Sequence, residues 1–265
     1  SLYSNVFRLA MRMLGAYLPW RIMLPSTFAS MFVNVVAPLG GASGVAVFVD
    51  QAIRRKQSPA RTAAGAMLAL ISDFTAFSLI LATGLTYLFY YNDLKVYEVI
   101  AAALLLLLTI GMTLILLLGL WQPGLLRRLL EWAHRFVRLL FKRFRRPSPL
   151  KPDWVEKTFD DFVGIGLAIR SKPKNLVKIF LISFTAYAMD LISLWMIFRA
   201  FGQDVHFGIL VAGFSMGILV WVITITPQGI GLVEGMMALV YTSLGIPANI
   251  ATVIALTFRG LTSWL

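Results

Sequence analysis

The stretch "ITITPQGIGLVEG", Ile223 to Gly235, interrupts two apolar runs, Phe207 to Thr226 and Leu232 to Leu244. Proline removes a backbone donor and glycine opens conformations that L-residues avoid, so Pro227, Gly229 and Gly231 end one helix before another begins. The second run then carries Glu234 near its start. A near-parallel break, "VVAPLGGASG" (Val35 to Gly44), separates Ile22–Val36 from Ala42–Val49. Both flanking runs are short of the ~20 apolar residues needed to cross a bilayer in one helix.

The rest of the chain sets the solvent. Of 265 residues 59% are hydrophobic and 14% charged, where a soluble domain would carry about a quarter charged. The reading is an all-α polytopic membrane protein. In hydrocarbon a broken backbone is tolerated only where protein buries it or a polar cavity wets it. Two breaks therefore imply a shared interior, with Glu234 projecting into it.

The formal net charge is +12. The excess sits in two segments beside apolar spans, which points to a cytoplasmic membrane face and an anionic leaflet rather than to nucleic acid. Cysteine is absent, so no thiolate nucleophile or thiolate metal site exists, and neither cofactor nor metal is expected. The opening "SLYSNVFRLA" and the closing "TSWL" read as cuts through a longer protein.

Arg21 precedes the first hairpin, and Arg54, Arg55, Lys56 and Arg61 follow it, so both flanks lie in the cytoplasm by the positive-inside bias. Full spans follow at Ala60–Tyr90 and Val96–Leu120. Next comes "LLRRLLEWAHRFVRLLFKRFRR", apolar at helical spacing with Arg127, Arg128, Arg135, Arg138, Lys142 and Arg143 largely between. That is a basic amphipathic helix suited to an anionic surface, either a plain anchor or a device that gathers lipid. His134 is placed on its polar face. A second, more neutral amphipathic segment runs to Lys174, and Asn175–Phe201 spans outward.

The second hairpin is flanked by "FGQDVH" and "GIPAN", free of Lys and Arg, so it begins and ends outside. Three spans separate the hairpins, and an odd number inverts the second unit relative to the first. The expected organisation is one transmembrane domain over 1–265, with repeat 1 at about 22–90, cytoplasmic amphipathic helices at about 121–174 and repeat 2 at about 206–265. Pro38 and Gly40 match Pro227 and Gly229 in offset, and both following spans open Pro-Ala, at Pro59 and Pro247. Inverted repeats whose broken helices face one another near the midplane are a transporter architecture.

Four ionisable residues fall at membrane depth: Asp73, Asp190, Glu234 and Arg259. Each costs roughly 2.5–3.5 kcal/mol at a helix centre, so each needs a partner or water. Arg259, ~18 Å along its helix from Pro247, is the cation of the set, and Glu234–Arg259 is the economical ion pair. Two readings stand. Arg259 meets a lipid phosphate during passage while Glu234 holds it, or the pair is a structural bridge from the second hairpin to the last span. Asp73 and Asp190 either bond within the bundle or meet substrate. Asp50 and His206 lie at interfaces and are read as solvated.

"TPQGIGLVEG" followed by "IPANIATVIALTFRGLTSW" resembles the "PGGxGxxE … R" signature of the lysylphosphatidylglycerol synthase transmembrane-region family, which includes the flippase half of the bacterial multiple peptide resistance factor. "FVNVVAPLGGASGVAVFVDQAIRRKQSPARTAAG" is similar to the family's earlier "NxxxPxxxG" segment. The resemblance implies movement of phospholipids or lipid-linked groups between leaflets of a bacterial cytoplasmic membrane. It carries Pro227, Gly229, Gly231, Glu234 and Arg259 over from one motif and Asn34, Pro38 and Gly44 from the other. Gln228 stands where the family usually has glycine, and Asp73 in "ISDF" lacks the arginine neighbour of many members.

A flippase-type transporter is the leading function, with a phospholipid as substrate and a synthase domain or a second copy as possible partners. No "GxxxxGK" occurs, so movement would be passive, ion-coupled or partner-driven. The competing reading is the membrane domain of an aminoacyl or glycosyl transferase. The segment between Trp121 and Lys174 is too short to build a catalytic site, so no enzyme activity is expected of this chain. A mere anchor explains hydrophobicity but not paired breaks.

Overall fold

A computed structural model describes residues 2–36, 42–91, 96–143, 153–224 and 226–264. The described residues are helical and contain no strand: α1 (Leu2–Met13), α2 (Trp20–Val36), α3 (Ala42–Arg54), α4 (Pro59–Tyr90), α5 (Val96–Trp121), α6 (Pro123–Arg143), α7 (Trp154–Ser171), α8 (Pro173–Ala200), α9 (Phe207–Ile223), α10 (Leu232–Ser243) and α11 (Ala248–Arg259). A 3₁₀ turn, Pro227–Gly229, lies between α9 and α10, and a π turn, Gly260–Trp264, extends α11.

Three helices, α4, α5 and α8, are long and apolar enough to cross a membrane. They coincide with the three full spans read from the sequence. At 32 residues, α4 is ~48 Å long, more than the ~30 Å hydrocarbon core, so it must tilt or project. Its start is locally encoded. Ser58 Oγ accepts the Arg61 backbone N–H at 3.2 Å as N-cap, and Pro59 occupies the first turn, where no donor is needed.

Helix α4 organises the molecule, packing on α1, α3, α5, α7, α8 and α9. Its first half enters a core with Phe7 and Met11 of α1, Phe48 of α3 and Ile165 of α7. Its second half enters another with Leu105 of α5 and Leu219 of α9. A third core joins Leu194 and Phe198 of α8 to Phe214, Tyr241 and Phe258 of the C-terminal helices. The rest of α5 and α8 faces outward as apolar surface, with Leu104, Leu107, Ile192 and Met196 exposed. That pattern belongs in lipid, where exposed leucine costs nothing.

Both breaks are flanked by packed helix pairs, α2 on α3 and α9 on α10. Helix α2 also touches the Pro227–Gly229 turn, so the first hairpin reaches the break of the second.

The amphipathic segment is helical as expected, but it has three faces rather than two. Leu126, Leu130 and His134 are buried, Leu125, Leu129, Trp132 and Phe136 form an exposed apolar stripe, and Arg127, Arg128, Arg135 and Arg138 occupy the remainder. The polar-face placement of His134 is therefore corrected. It stands one turn from each of Leu130 and Arg138, on the side that α5 and α7 cover, and its ring Nε2 lies 3.3 Å from Arg138 Nη2.

Candidate functional site

After Ile223 the α9 backbone leaves helical geometry, and Gln228, Gly229 and Gly231 take φ of 57°, 65° and 83°. This is the left-handed region, natural for glycine and strained for glutamine. It explains why a family pattern would place glycine at position 228. At Gly229 space is also limiting, because a Cβ would stand 2.6 Å from Val233 Cγ2.

The turn aims backbone groups at side chains that arrive from elsewhere. Glu234 is the third residue of α10, and its Oε2 accepts the Gly231 N–H at 2.7 Å. It thereby satisfies a donor that the helix start leaves free, at the end where the helix dipole favours an anion. Its other oxygen, Oε1, accepts Arg259 Nε at 3.0 Å. Arg259 Nη2 donates to the Gln228 carbonyl at 2.6 Å, closing the circuit from α11 back onto the break. Glu234 and Arg259 are 5% and 7% exposed, so neither is held by bulk solvent. The ion pair expected from counting charges is present, and the Gln228 carbonyl is a third member that no side-chain reasoning could supply.

In the first hairpin the polar tie is neutral. Asn34 Oδ1 of α2 accepts Ser43 Oγ at 2.6 Å and the Gly44 N–H at 2.8 Å, capping α3 from across the hairpin. Gly44 is required by proximity: a Cβ there would stand 2.5 Å from Asn34 Nδ2. The structure thus joins two of the resemblance-derived residues, Asn34 and Gly44. Pro38 and Gly40 lie outside the described residues, and Pro227 opens the 3₁₀ turn.

The remaining acidic candidates are on long helices. Asp73 Oδ2 of α4 accepts the Tyr187 hydroxyl of α8 at 2.9 Å. Asp190 lies three residues beyond Tyr187, one turn further along α8. Asp73 and Asp190 thus belong to the α4–α8 seam. Tyr187 was not singled out from the sequence, although "YAMD" places it at helical spacing from an aspartate. Asp50 pairs with Arg54 at 2.7 Å on an exposed surface, and His206 is exposed, both as expected.

A further polar cluster escaped sequence reasoning. Asp161 of α7 binds Arg61 Nε at 2.7 Å and also accepts the hydroxyl of Ser58, the cap of α4. Gln57 pairs with the backbone of Tyr17, its Oε1 accepting the N–H at 3.1 Å and its Nε2 donating to the carbonyl at 2.6 Å. On α6, Arg127 and Arg135 flank Glu131 at 3.5 and 4.0 Å. Arg128 is exposed, and Lys142 and Arg143 close the helix.

Among the described residues no cluster of three or more His, Cys, Asp or Glu could hold a metal ion. The site presents a buried cation, a carboxylate and aligned backbone groups.

Two proteins of Methanothermobacter thermautotrophicus, each described as a UPF0104 membrane protein, are similar to part of the chain. One is 31% identical over 91 residues, 34% of this chain and 27% of its own length. The other is 30% identical over 95 residues, 36% of this chain and 28% of its own length. The aligned part thus spans little more than a quarter of either relative. No solved structure matches. The sequence profile of the lysylphosphatidylglycerol synthase TM region matches residues 2–265, and with the broken hairpin, its glutamate and the arginine that closes it in place, the chain belongs to that family.

Proposed function

We propose that this chain is a flippase-like lipid transporter, moving an anionic or aminoacylated phospholipid, or a lipid-linked group, between leaflets. The observation that carries the reading is the buried Glu234–Arg259 pair, which ties α11 to a helix break against which α2 of the other hairpin packs. A permanent strut could be built from apolar residues at lower desolvation cost. A guanidinium at membrane depth gains a use if a phosphate takes the place of Glu234 on it during passage, with Glu234 keeping its bond to Gly231 N–H. In this reading the two hairpin units are inverted repeats that rock about the shared break, and Asp73 and Asp190 line the seam that opens.

The exposed stripe of Leu125, Leu129, Trp132 and Phe136 suits insertion at the interface, with Arg127, Arg128, Arg135 and Arg138 toward anionic head groups. Arg259 and this basic face both favour a lipid phosphate as the recognised group. The proposed location is a multi-pass cell membrane protein of the bacterial cytoplasmic membrane, although the matched relatives are archaeal. Resistance to cationic antimicrobial peptides would follow if the cargo is aminoacylated lipid.

A second reading is the membrane half of a lipid-modifying enzyme, favoured by the synthase in the family's description. Head-group-labelled lipids in proteoliposomes with an external quencher separate the two. Transport predicts quenching that selects among zwitterionic, anionic and lysyl-modified lipids and is lost in Glu234→Gln and Arg259→Ala with folding intact. Traces equal to protein-free vesicles for every lipid would reject transport by this chain.

A further inference from the structure

Away from the Glu234–Arg259 site, a groove of about 660 Å³ opens between α4, α8 and α9. Its walls include Leu79 and Thr83 of α4, Phe184, Ala188 and Trp195 of α8, and Val211 of α9. The Thr83 hydroxyl is spent on the Leu79 carbonyl at 3.0 Å, so the wall is effectively apolar. The volume falls in the range of about 300–1,000 Å³ typical of sites for small ligands. From Phe184 to Trp195 the groove follows α8 for ~16 Å, close to one leaflet of a ~30 Å hydrocarbon core.

Lys172, Lys174 and Lys178 mark the start of α8 as its cytoplasmic end, which places the groove in the outer half of the bilayer. Its rim there is charged. The Arg199 guanidinium lies one turn beyond Trp195, with Cζ 5.4 Å from the indole centroid, and pairs with Asp204 at 3.1 Å. Both partners are more than half exposed, with side chains at 52% and 74%, so their attraction is weak and exchangeable. No other Lys or Arg occurs in 201–206 or 244–250. A leaflet-deep apolar trough ending in an exchangeable cation on an interfacial tryptophan matches one molecule in both halves: a phospholipid, with its tail in the trough and its phosphate at the rim.

We propose that the groove between α4, α8 and α9 is an outer-leaflet phospholipid site, with one acyl chain lying along Ala188 and Trp195 and the phosphate on Arg199. Its role, the outer station of the transport path, rests on the flippase reading. Its occupancy does not.

The test uses the full chain in phosphatidylglycerol vesicles containing a trace of phosphatidylglycerol with a photoactivatable diazirine on its acyl chain. Labelled positions are mapped by peptide mass spectrometry. Labelling should concentrate on 184–195 and fall roughly tenfold in Ala188→Trp, which fills the trough, or by about half as many fold in the milder Ala188→Leu. Arg199→Gln should lower it roughly tenfold, the value of one charge-assisted hydrogen bond, to the level of a diacylglycerol probe that lacks phosphate. Thermal melting of each variant reports folding. The proposal is overturned if 184–195 labels no more than the exposed α5 face at Leu104 and Leu107. It is equally overturned if all variants label alike. Translocation is read separately in the same vesicles. A labelled groove without translocation keeps the site and rejects transport; translocation with an unlabelled groove does the reverse.

Discussion

The two hairpins solve the same problem with different chemistry. Each must hold a helix start with unpaired backbone donors, and each does so with side-chain oxygen from a single residue. In the first, Asn34 reaches across from α2 to the Ser43 hydroxyl and the Gly44 N–H, and nothing in the tie is charged. In the second, Glu234 caps its own helix at Gly231 and is neutralised by Arg259, which arrives from α11 and also holds the Gln228 carbonyl. A neutral tie joins two neighbouring helices and has no reason to open. An ionic tie brings a third helix into the break. In the proposed reading, the second hairpin is where polar cargo is recognised and the first is its scaffold.

The largest expected effect breaks the ionic tie. Arg259→Ala leaves Glu234 buried without its cation and should cost about 3–5 kcal/mol of stability, seen as a large drop in detergent melting temperature. A charge swap, Glu234→Arg with Arg259→Glu, should fail to restore it, because an arginine at 234 cannot accept the Gly231 N–H. Full recovery in the swap would show that only the net pairing matters and would erase the contrast with Asn34.

The neutral hairpin should respond less, and through packing. Gly44→Ala drives a methyl against Asn34 Nδ2, where a Cβ stands 2.5 Å away, and should cost about 1–3 kcal/mol. Asn34→Ala removes the cap at a cost of about 1 kcal/mol. Lipid selectivity should survive in both once expression is matched, and a change of head-group preference in Asn34→Ala would assign recognition to the first hairpin as well.

Smaller effects test the strain and the outer tie. Gln228→Gly relieves a non-glycine residue at φ 57° and should raise stability by up to about 1 kcal/mol, provided the Gln228 carbonyl keeps its place on Arg259. Asp161→Asn loosens α7 from the start of α4. The Arg61 side chain is 43% exposed, so the cost should stay below about 1 kcal/mol. Hydrogen exchange in α7 should rise while that in α10 stays unchanged.

Much of this was readable in advance because membrane solvent makes local signals strong. Runs such as Val96–Leu120 have one stable fate in a bilayer, and Pro227, Gly229 and Gly231 stop a helix wherever they fall. The Glu234–Arg259 pair followed from scarcity, since a lone arginine among few carboxylates at membrane depth must find one. His134 was misplaced for the complementary reason. Alternation of leucine and arginine reports two faces, and which side of the helix meets protein rather than lipid is set by α5 and α7, not by α6 itself.

By itself, then, the sequence determined the all-α polytopic class, the three spans, the two interrupted hairpins and the identity of the ion pair, because hydropathy, helix breaking and charge burial act on neighbouring residues. Only the tertiary structure decided that Arg259 also holds the Gln228 carbonyl, that Asn34 caps α3 from α2, that Tyr187 meets Asp73, that Asp161 clamps Arg61 and Ser58, and that α4, α8 and α9 leave a trough that reaches Trp195. These contacts join residues up to 114 positions apart. Their partners are chosen by how helices pack, and a backbone carbonyl or an empty groove carries no residue letter from which to read it.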